Sequence, residues 1–229
     1  MNYKDTISSF RSRFETEQFN REQRLRKLTD RQIMFELSAI QSYLQNTYKL
    51  YDKAYSLTTA IGQSSYIVGT GATTIPNDVL DIKNVKVLNG TSYRNLTPIS
   101  KEQINIIDKN CELSSYAVYG QGSSMILEID FVPTEAGTLF IQYVPRLELF
   151  DSTAGQATNK TFSDTNYVES TMLGEWLIPK DWHLLLIDGA LSNYFPDKKQ
   201  EWYSLCDDKH GRRMETISLT LPSHLGTDA

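Results

Sequence analysis

The sequence predicts an α+β fold: a helical core of one long N-terminal helix and two C-terminal helices, an inserted antiparallel β-sheet or sandwich, and an extended C-terminal tail. Three observations predict it. Residues 29–54 carry apolar side chains at helical spacing, residues 64–149 alternate in twos between glycine-rich turns, and residues 176–217 return to helical spacing. A chain of 229 residues is long enough to bury one sizeable core and still carry an insertion.

Residues 1–28 are charge-rich, and Phe10, Phe14, Leu25 and Leu28 make only a thin stripe among them. So polar a segment buries little by itself, which predicts a solvated or partly disordered arm, or one that orders only against a neighbouring subunit. Thr29 opens the first firm helix. Thr29 and Gln32 form a capping box, each side chain satisfying the other's free backbone N–H. Ile33, Leu37, Ile40, Leu44 and Tyr51 follow at three-, four- and seven-residue steps to about Ala54, with Lys49 and Lys53 outward. Residues 29–63 are thereby assigned to the helical core.

From Ser64 the texture is that of short strands, Ser64–Val68, Val79–Leu88, Tyr93–Thr97, Tyr116–Tyr119, Met125–Phe131 and Leu139–Val144. Asn89-Gly90 is a strong hairpin signal, and Gly120-Gln-Gly122 marks a second turn. Ser100 and Gln103 form another capping box before a short helix to Ile107. In Met125–Phe131, Met125, Leu127, Ile129 and Phe131 should face the core while Glu128 and Asp130 point outward. Residues 150–174 are rich in Ser, Thr, Asn, Asp and Gly without a sustained period, and a loop of that length is functional, disordered or an interaction arm.

Residues 175–217 complete the helical core. Pro179 precedes a helix crowded with Trp182, Leu184, Leu185, Leu186, Ile187, Gly189, Ala190, Leu191, Asn193 and Tyr194, too apolar for a surface position. It should lie in the core or between subunits. Pro196 with Asp197 stops it, and a charged helix follows with Trp202, Leu205, Met214 and Ile217 as its apolar contacts. The expected packing residues of the helical core and of subunit contacts are therefore Ile33, Leu37, Ile40, Leu44, Trp182, Leu185, Leu186, Leu191 and Trp202. Residues 218–229, with Leu219, Leu221 and Leu225 around Pro222, read as an extended tail.

Composition narrows the function classes. Hydrophobic content of 40% and charged content of 22% are those of a soluble globular protein. A formal net charge of -5 argues against a large nucleic-acid footprint, which needs clustered Lys and Arg. The N-terminus lacks a basic-then-apolar leader, and no apolar run nears the ~20 residues of a membrane span. Cys111 and Cys206 lack metal-like spacing and are read as reduced thiols. The Asn-x-Thr triplets at Asn89, Asn95 and Asn159 are incidental without a secretory signal.

No catalytic constellation is present in the sequence. His183, His210 and His224 are dispersed, with neither His-Glu-x-x-His nor a Cys/His cluster of zinc spacing. Gly69-Thr-Gly71 lacks the remainder of either phosphate-binding glycine motif. A glycosidase-like use of Glu128 and Asp130 is disfavoured, because carboxylates on a strand face ordinarily solvate a sheet. His183 is better explained as a hydrogen-bonded core residue than as a ligand. Trp202 and Tyr203 beside Lys198 and Lys199 suit core packing better than stacking on single-stranded nucleic acid. No catalytic residue, cofactor or metal is expected.

Taken in order, IPNDVLDIKNVKVLNG (75–90), LFIQYVPRLELF (139–150), WLIPKDWHLLLIDGALSNYF (176–195) and DKKQEWYSLCDDKHGRRMETI (197–217) resemble the head-to-tail adaptor proteins of tailed bacteriophages. These are also called connector or head-completion proteins, here of the podovirus type. In that family a long helix precedes a β-rich insertion opened by an Ile-Pro-x-Asp-like segment and closed by a Tyr-x-Pro strand. A second x-Pro-x-Asp segment then leads into a hydrophobic helix and a charged one. The likeness spans about residues 30–217 and leaves 1–28 and 150–174 unmatched.

The resemblance implies a non-enzymatic virion protein, assembled in the host cytoplasm. It would form a homo-oligomeric, twelve-fold ring beneath the portal protein and offer a platform to the next tail ring or tail-tube protein. Double-stranded DNA would pass through its lumen without specific binding. It also implies that the C-terminal segment, Leu219, Leu221, Pro222 and Leu225, docks on the portal. The alternative is a tail-associated binding module for fibre attachment, a receptor or a carbohydrate.

Overall fold

The computed structural model describes residues 1–21, 27–89, 92–106, 113–147 and 176–220, excluding the side chains of 89 and 216–220. In chain order the helices and strands are α1 (Tyr3–Asn20), α2 (Asp30–Tyr48), β1 (Lys53–Thr58), β2 (Ser65–Gly69), β3 (Ile75–Pro76), β4 (Val79–Asn89), β5 (Ser92–Asn95) and β6 (Thr97–Pro98). They continue with α3 (Lys101–Ile104), β7 (Ser115–Tyr119), β8 (Ile126–Ile129), β9 (Thr138–Pro145), α4 (His183–Ser192) and α5 (Lys199–Thr220). The fold is α+β, as predicted. The chain divides into two compact units, one of Met1–Tyr48 with Glu148–Ala229, the other of Lys49–Leu147.

The helical unit contains α1, which the sequence reading had as a charged arm. Two features make it a helix. Asn2 caps it, its side chain accepting from the Asp5 N–H at 2.8 Å. Tyr3, Ile7, Phe10 and Phe14 recur at three- and four-residue steps and are all buried. Tyr3 and Ile7 extend the Phe10–Phe14 stripe toward the N-terminus through an otherwise polar segment. Phe10 stacks on Phe14 at 5.7 Å, and Tyr3 meets Trp176 edge-on at 4.8 Å. Leu28 is also buried, while Leu25 lies outside the described residues.

The Thr29–Gln32 capping box forms as read: Thr29 N–H donates to Gln32 Oε1 at 3.0 Å and Gln32 N–H to Thr29 Oγ1 at 3.2 Å. The helix it opens ends sooner than the periodicity suggests. Lys49 takes a left-handed conformation, φ 50°, so α2 stops at Tyr48 and neither Tyr51 nor Ala54 belongs to it. α4 packs against α1, α2 and α5, and every one of its residues except Leu184 and Asp188 is buried. α5 runs to Thr220, so Ser218, Leu219 and Thr220 are helical rather than the start of an extended tail.

The β unit begins earlier than the sequence reading placed it, because Lys53–Thr58 is a strand rather than part of the helical core. One sheet is antiparallel throughout, in the order β1-β9-β4-β5. The other, β3-β2-β8-β7-β6, is mixed rather than antiparallel, since its short edge strands β3 and β6 pair parallel to their neighbours. Both sheets contribute to one core: Leu57, Val85, Leu139 and Ile141 from the first, Tyr66, Ile75, Tyr116, Leu127 and Ile129 from the second. β4 pairs with β5 up to Asn89 opposite Ser92, and two irregularities in its register with β9 bend its first half. The Ser100–Gln103 capping box starts α3, which ends at Ile104. Ile107 and the 150–174 segment lie outside the described residues. Gly120 sits at φ +79°, where a β-carbon would lie 2.2 Å from the Ser124 carbonyl oxygen, so that turn requires glycine.

Candidate functional site

The nine packing residues read from the sequence are all buried, with Ile33, Leu37, Leu44, Trp182 and Leu186 at zero exposure. Two of them, Ile40 and Trp202, meet at Gly189. A β-carbon there would lie 2.6 Å from Trp202 Cζ2 and 2.8 Å from Ile40 Cγ2, so this glycine lets α2 and α5 close on α4. The Trp202 indole N–H donates to the Leu185 carbonyl at 2.9 Å, which fixes the ring against α4. Trp202 is therefore a core residue. Tyr43 and Tyr203 flank it at 5.5 and 5.0 Å.

Polar groups are drawn into the same unit with partners. The Trp176 indole N–H donates to Thr6 Oγ1 at 2.9 Å, and the Leu177 N–H to Gln41 Oε1 at 2.9 Å. His183 Nε2 donates to the Ile178 carbonyl at 3.0 Å, a contact that assigns the ring a structural role. The Tyr48 hydroxyl donates to Asp207 at 2.6 Å, and burial first, then this bond, raises its pKa. Cys206 is free and buried, and burial pushes its thiol up to about 12.

Glu128 and Asp130 do not point outward. β8 is an inner strand, flanked by β2 and β7, and both carboxylates are buried. Glu128 accepts from the Tyr119 hydroxyl at 2.7 Å, a bond that with burial pushes that phenol up to about 12. Asp130 accepts from the Ser114 N–H at 3.0 Å and from its hydroxyl at 2.7 Å, tying the start of β7 to the end of β8. Both carboxylates are thus engaged within the fold. Among the described residues, no group of three or more His, Cys, Asp or Glu is placed to hold a metal ion. Among the same residues, no helix is long and apolar enough to cross a membrane.

The helical unit also exposes apolar surface that helical periodicity alone assigned to the core. Leu184 is 52% exposed, Leu205 44% and Met214 52%, although each was expected as a packing contact; the Ile217 side chain lies outside the described residues. Leu184 and Leu205 face a groove of about 670 Å3 between α4 and α5, with Leu185 beneath them. Its rim carries Lys209, Arg212 and Arg213 on α5 against Asp181 and Asp188, and Asp188 is held by Arg13 at 2.6 Å. The rim charges are paired within the chain, Lys209 with Asp181 at 3.2 Å and Arg212 with Asp208 at 3.1 Å.

Of the proposed portal-docking residues, Leu219 stands on the last turn of α5. Leu221, Pro222 and Leu225 lie outside the described residues. The β unit has a smaller cavity of about 430 Å3 among Val87, Leu88, Arg94, Leu113, Phe131 and Pro133. No protein-family model matches the chain, and comparison with curated proteins gives no match either.

Proposed function

We propose that the protein is a head-to-tail adaptor of a tailed bacteriophage. In that role it forms a ring that binds the portal, extends the DNA channel and presents a platform to the next tail component. The observation that carries this reading is the interrupted helical unit. A chain segment of 49–147 folds as its own β unit between α2 and α4, and the order of Ile-Pro-Asn-Asp, Tyr-Val-Pro and Ile-Pro-Lys-Asp segments along it resembles the adaptor pattern. Identical chains close into a ring through heterologous contacts when the rotation allows. The net charge of -5 suits a conduit that passes DNA rather than one that retains it. On this reading the segment from Leu219 through Leu225 engages the portal.

The test is electron microscopy of portal-bearing particles mixed with the full-length protein. A ring stacked on the portal vertex is the expected result. Binding to a fibre or to the capsid surface, or no binding, overturns the proposal, and fibre binding would favour a tail-associated module. Removing residues after Ile217 should abolish binding while leaving the far-ultraviolet dichroism essentially intact.

A further inference from the structure

We propose that the β unit of one copy continues the antiparallel sheet of the next, its β5 edge pairing with the neighbour's β1 edge. The inference rests on the ring reading, which requires two different, mutually complementary surfaces on each subunit. The sheet β1-β9-β4-β5 ends on two unlike edges.

On β1, one bond fixes which backbone groups face out. The Thr58 N–H leaves the sheet to reach the Ala72 carbonyl at 2.8 Å. By the alternation of a strand, Ala54 and Ser56 also turn their N–H and C=O groups away from β9. On β5, the Leu96 N–H donates to the Val85 carbonyl at 2.9 Å, inside the sheet. Tyr93 and Asn95 therefore turn their backbone groups outward. Among the described residues, no backbone group pairs with those of Ala54, Ser56, Tyr93 or Asn95 on this side. All four residues are exposed, and none is the lysine or proline that commonly blunts a sheet edge.

Direction, register and size match the two edges. Every neighbouring pair in the sheet is antiparallel, so β1 and β5 run in opposite directions. A second copy set edge to edge then meets β1 antiparallel without turning over. Because the Thr58 N–H is taken, the open positions Ser56 and Ala54 fall opposite Tyr93 and Asn95. Each opposed pair exchanges both N–H···O bonds. Side chains match as well: β1 presents the small Ala54 and Ser56, and β5 presents Tyr93, which is 52% exposed. The small pair leaves room for the neighbour's ring, and Phe140, opposite Ser56 on β9, stands beside it. Like edges would instead close as a two-fold pair and stop, whereas β5 on β1 repeats from copy to copy.

The test uses disulfide trapping in the full-length protein, alone and with portal-bearing particles. Ser56→Cys and Tyr93→Cys are combined in one chain, with Cys111→Ser and the buried Cys206 left in place. Mild oxidation should give a ladder of linked chains on non-reducing electrophoresis, and either cysteine alone should leave single chains. Ala54→Pro added to the pair removes an N–H that the fold does not use, a position where an edge strand tolerates proline. It should weaken the ladder about tenfold, as losing one hydrogen bond does, with far-ultraviolet dichroism unchanged. No ladder under either condition, a ladder indifferent to Ala54→Pro, or linked dimers from a single cysteine each overturn the inference. The adaptor reading is judged separately, by whether wild type binds portal-bearing particles. Binding without a ladder places the ring contact elsewhere and leaves that reading standing; a ladder without binding keeps the sheet contact and removes the reading.

Discussion

Replacing Gly189 by alanine probes how tightly the helical unit is closed. The added carbon would stand 2.6 and 2.7 Å from Trp202 ring atoms and 2.8 Å from Ile40 Cγ2, where unstrained carbons sit about 3.5–4.0 Å apart. Relief requires the ring to retreat by about 1 Å, judged against that spacing. The ring is buried and its N–H is held on the Leu185 carbonyl at 2.9 Å. Overpacking of this kind costs ~1–3 kcal/mol. A loosened hydrogen bond adds ~1 kcal/mol, and the better helix propensity of alanine returns ~1 kcal/mol. The expected net loss is ~1–3 kcal/mol, each kcal/mol lowering Tm by about 2–4 °C in a chain of this size. All three tryptophans, Trp176, Trp182 and Trp202, belong to the helical unit, so urea unfolding followed by tryptophan fluorescence reads that unit directly. Gly211→Ala is the control. A β-carbon there meets nothing within 4 Å, and the substitution should stabilise α5 by ~0.5–1 kcal/mol. If Gly189→Ala is as stable as wild type while Gly211→Ala gains, the close approach of Trp202 is refuted.

Two further perturbations address the buried polar groups. Burial pushes the Tyr3 hydroxyl up to about 12, the bond to Glu128 does the same for Tyr119, and burial with bonds to Asp207 and Asp78 raises Tyr48 and Tyr143. Raised values mean that the folded state favours the neutral phenol. This stability is therefore fully present below the unfolded tyrosine value of about 10 and is lost as pH climbs through the folded values. The urea midpoint should fall between pH 10 and 12, and Tyr143→Phe should flatten the fall; a midpoint constant across that range contradicts the assignment. Asp130→Ala should cost the β unit ~2–3 kcal/mol, because a buried N–H and hydroxyl of Ser114 lose a charged acceptor. Asp130→Asn, which keeps one acceptor oxygen, should cost less. Native-state hydrogen exchange in β7 and β8 measures both, and unchanged protection after Asp130→Ala would deny Asp130 its tethering role.

The parts of the fold legible in the sequence are those governed by local rules. Both capping boxes formed because their bonds join residues three apart. The apolar faces of α2 and α4 were visible because they repeat within a few turns. What escaped depends on partners distant in sequence. β1 is a strand because it pairs with β9, and Lys53 lies opposite Tyr143; nothing within residues 53–58 announces this, and Tyr51 happens to continue the helical spacing. Glu128 and Asp130 read as solvent-facing because alternation reports which face a residue takes. It does not report whether that face is covered, and here Tyr119 and Ser114 meet them. The error at Leu184, Leu205 and Met214 is the converse: helical spacing marks apolar positions but does not say that the structure leaves them open.

The pairing of β1 with β9 has a consequence for how the chain can be altered. The strand that enters the β unit and the strand that leaves it lie side by side, with Lys53 opposite Tyr143 and Thr58 opposite Thr138. An inserted unit whose ends are neighbours closes its own loop when it folds. Residues 49–147 can accordingly be excised, produced alone or exchanged for another unit with neighbouring ends. The two units can also acquire changes at different rates, each constrained by its own core.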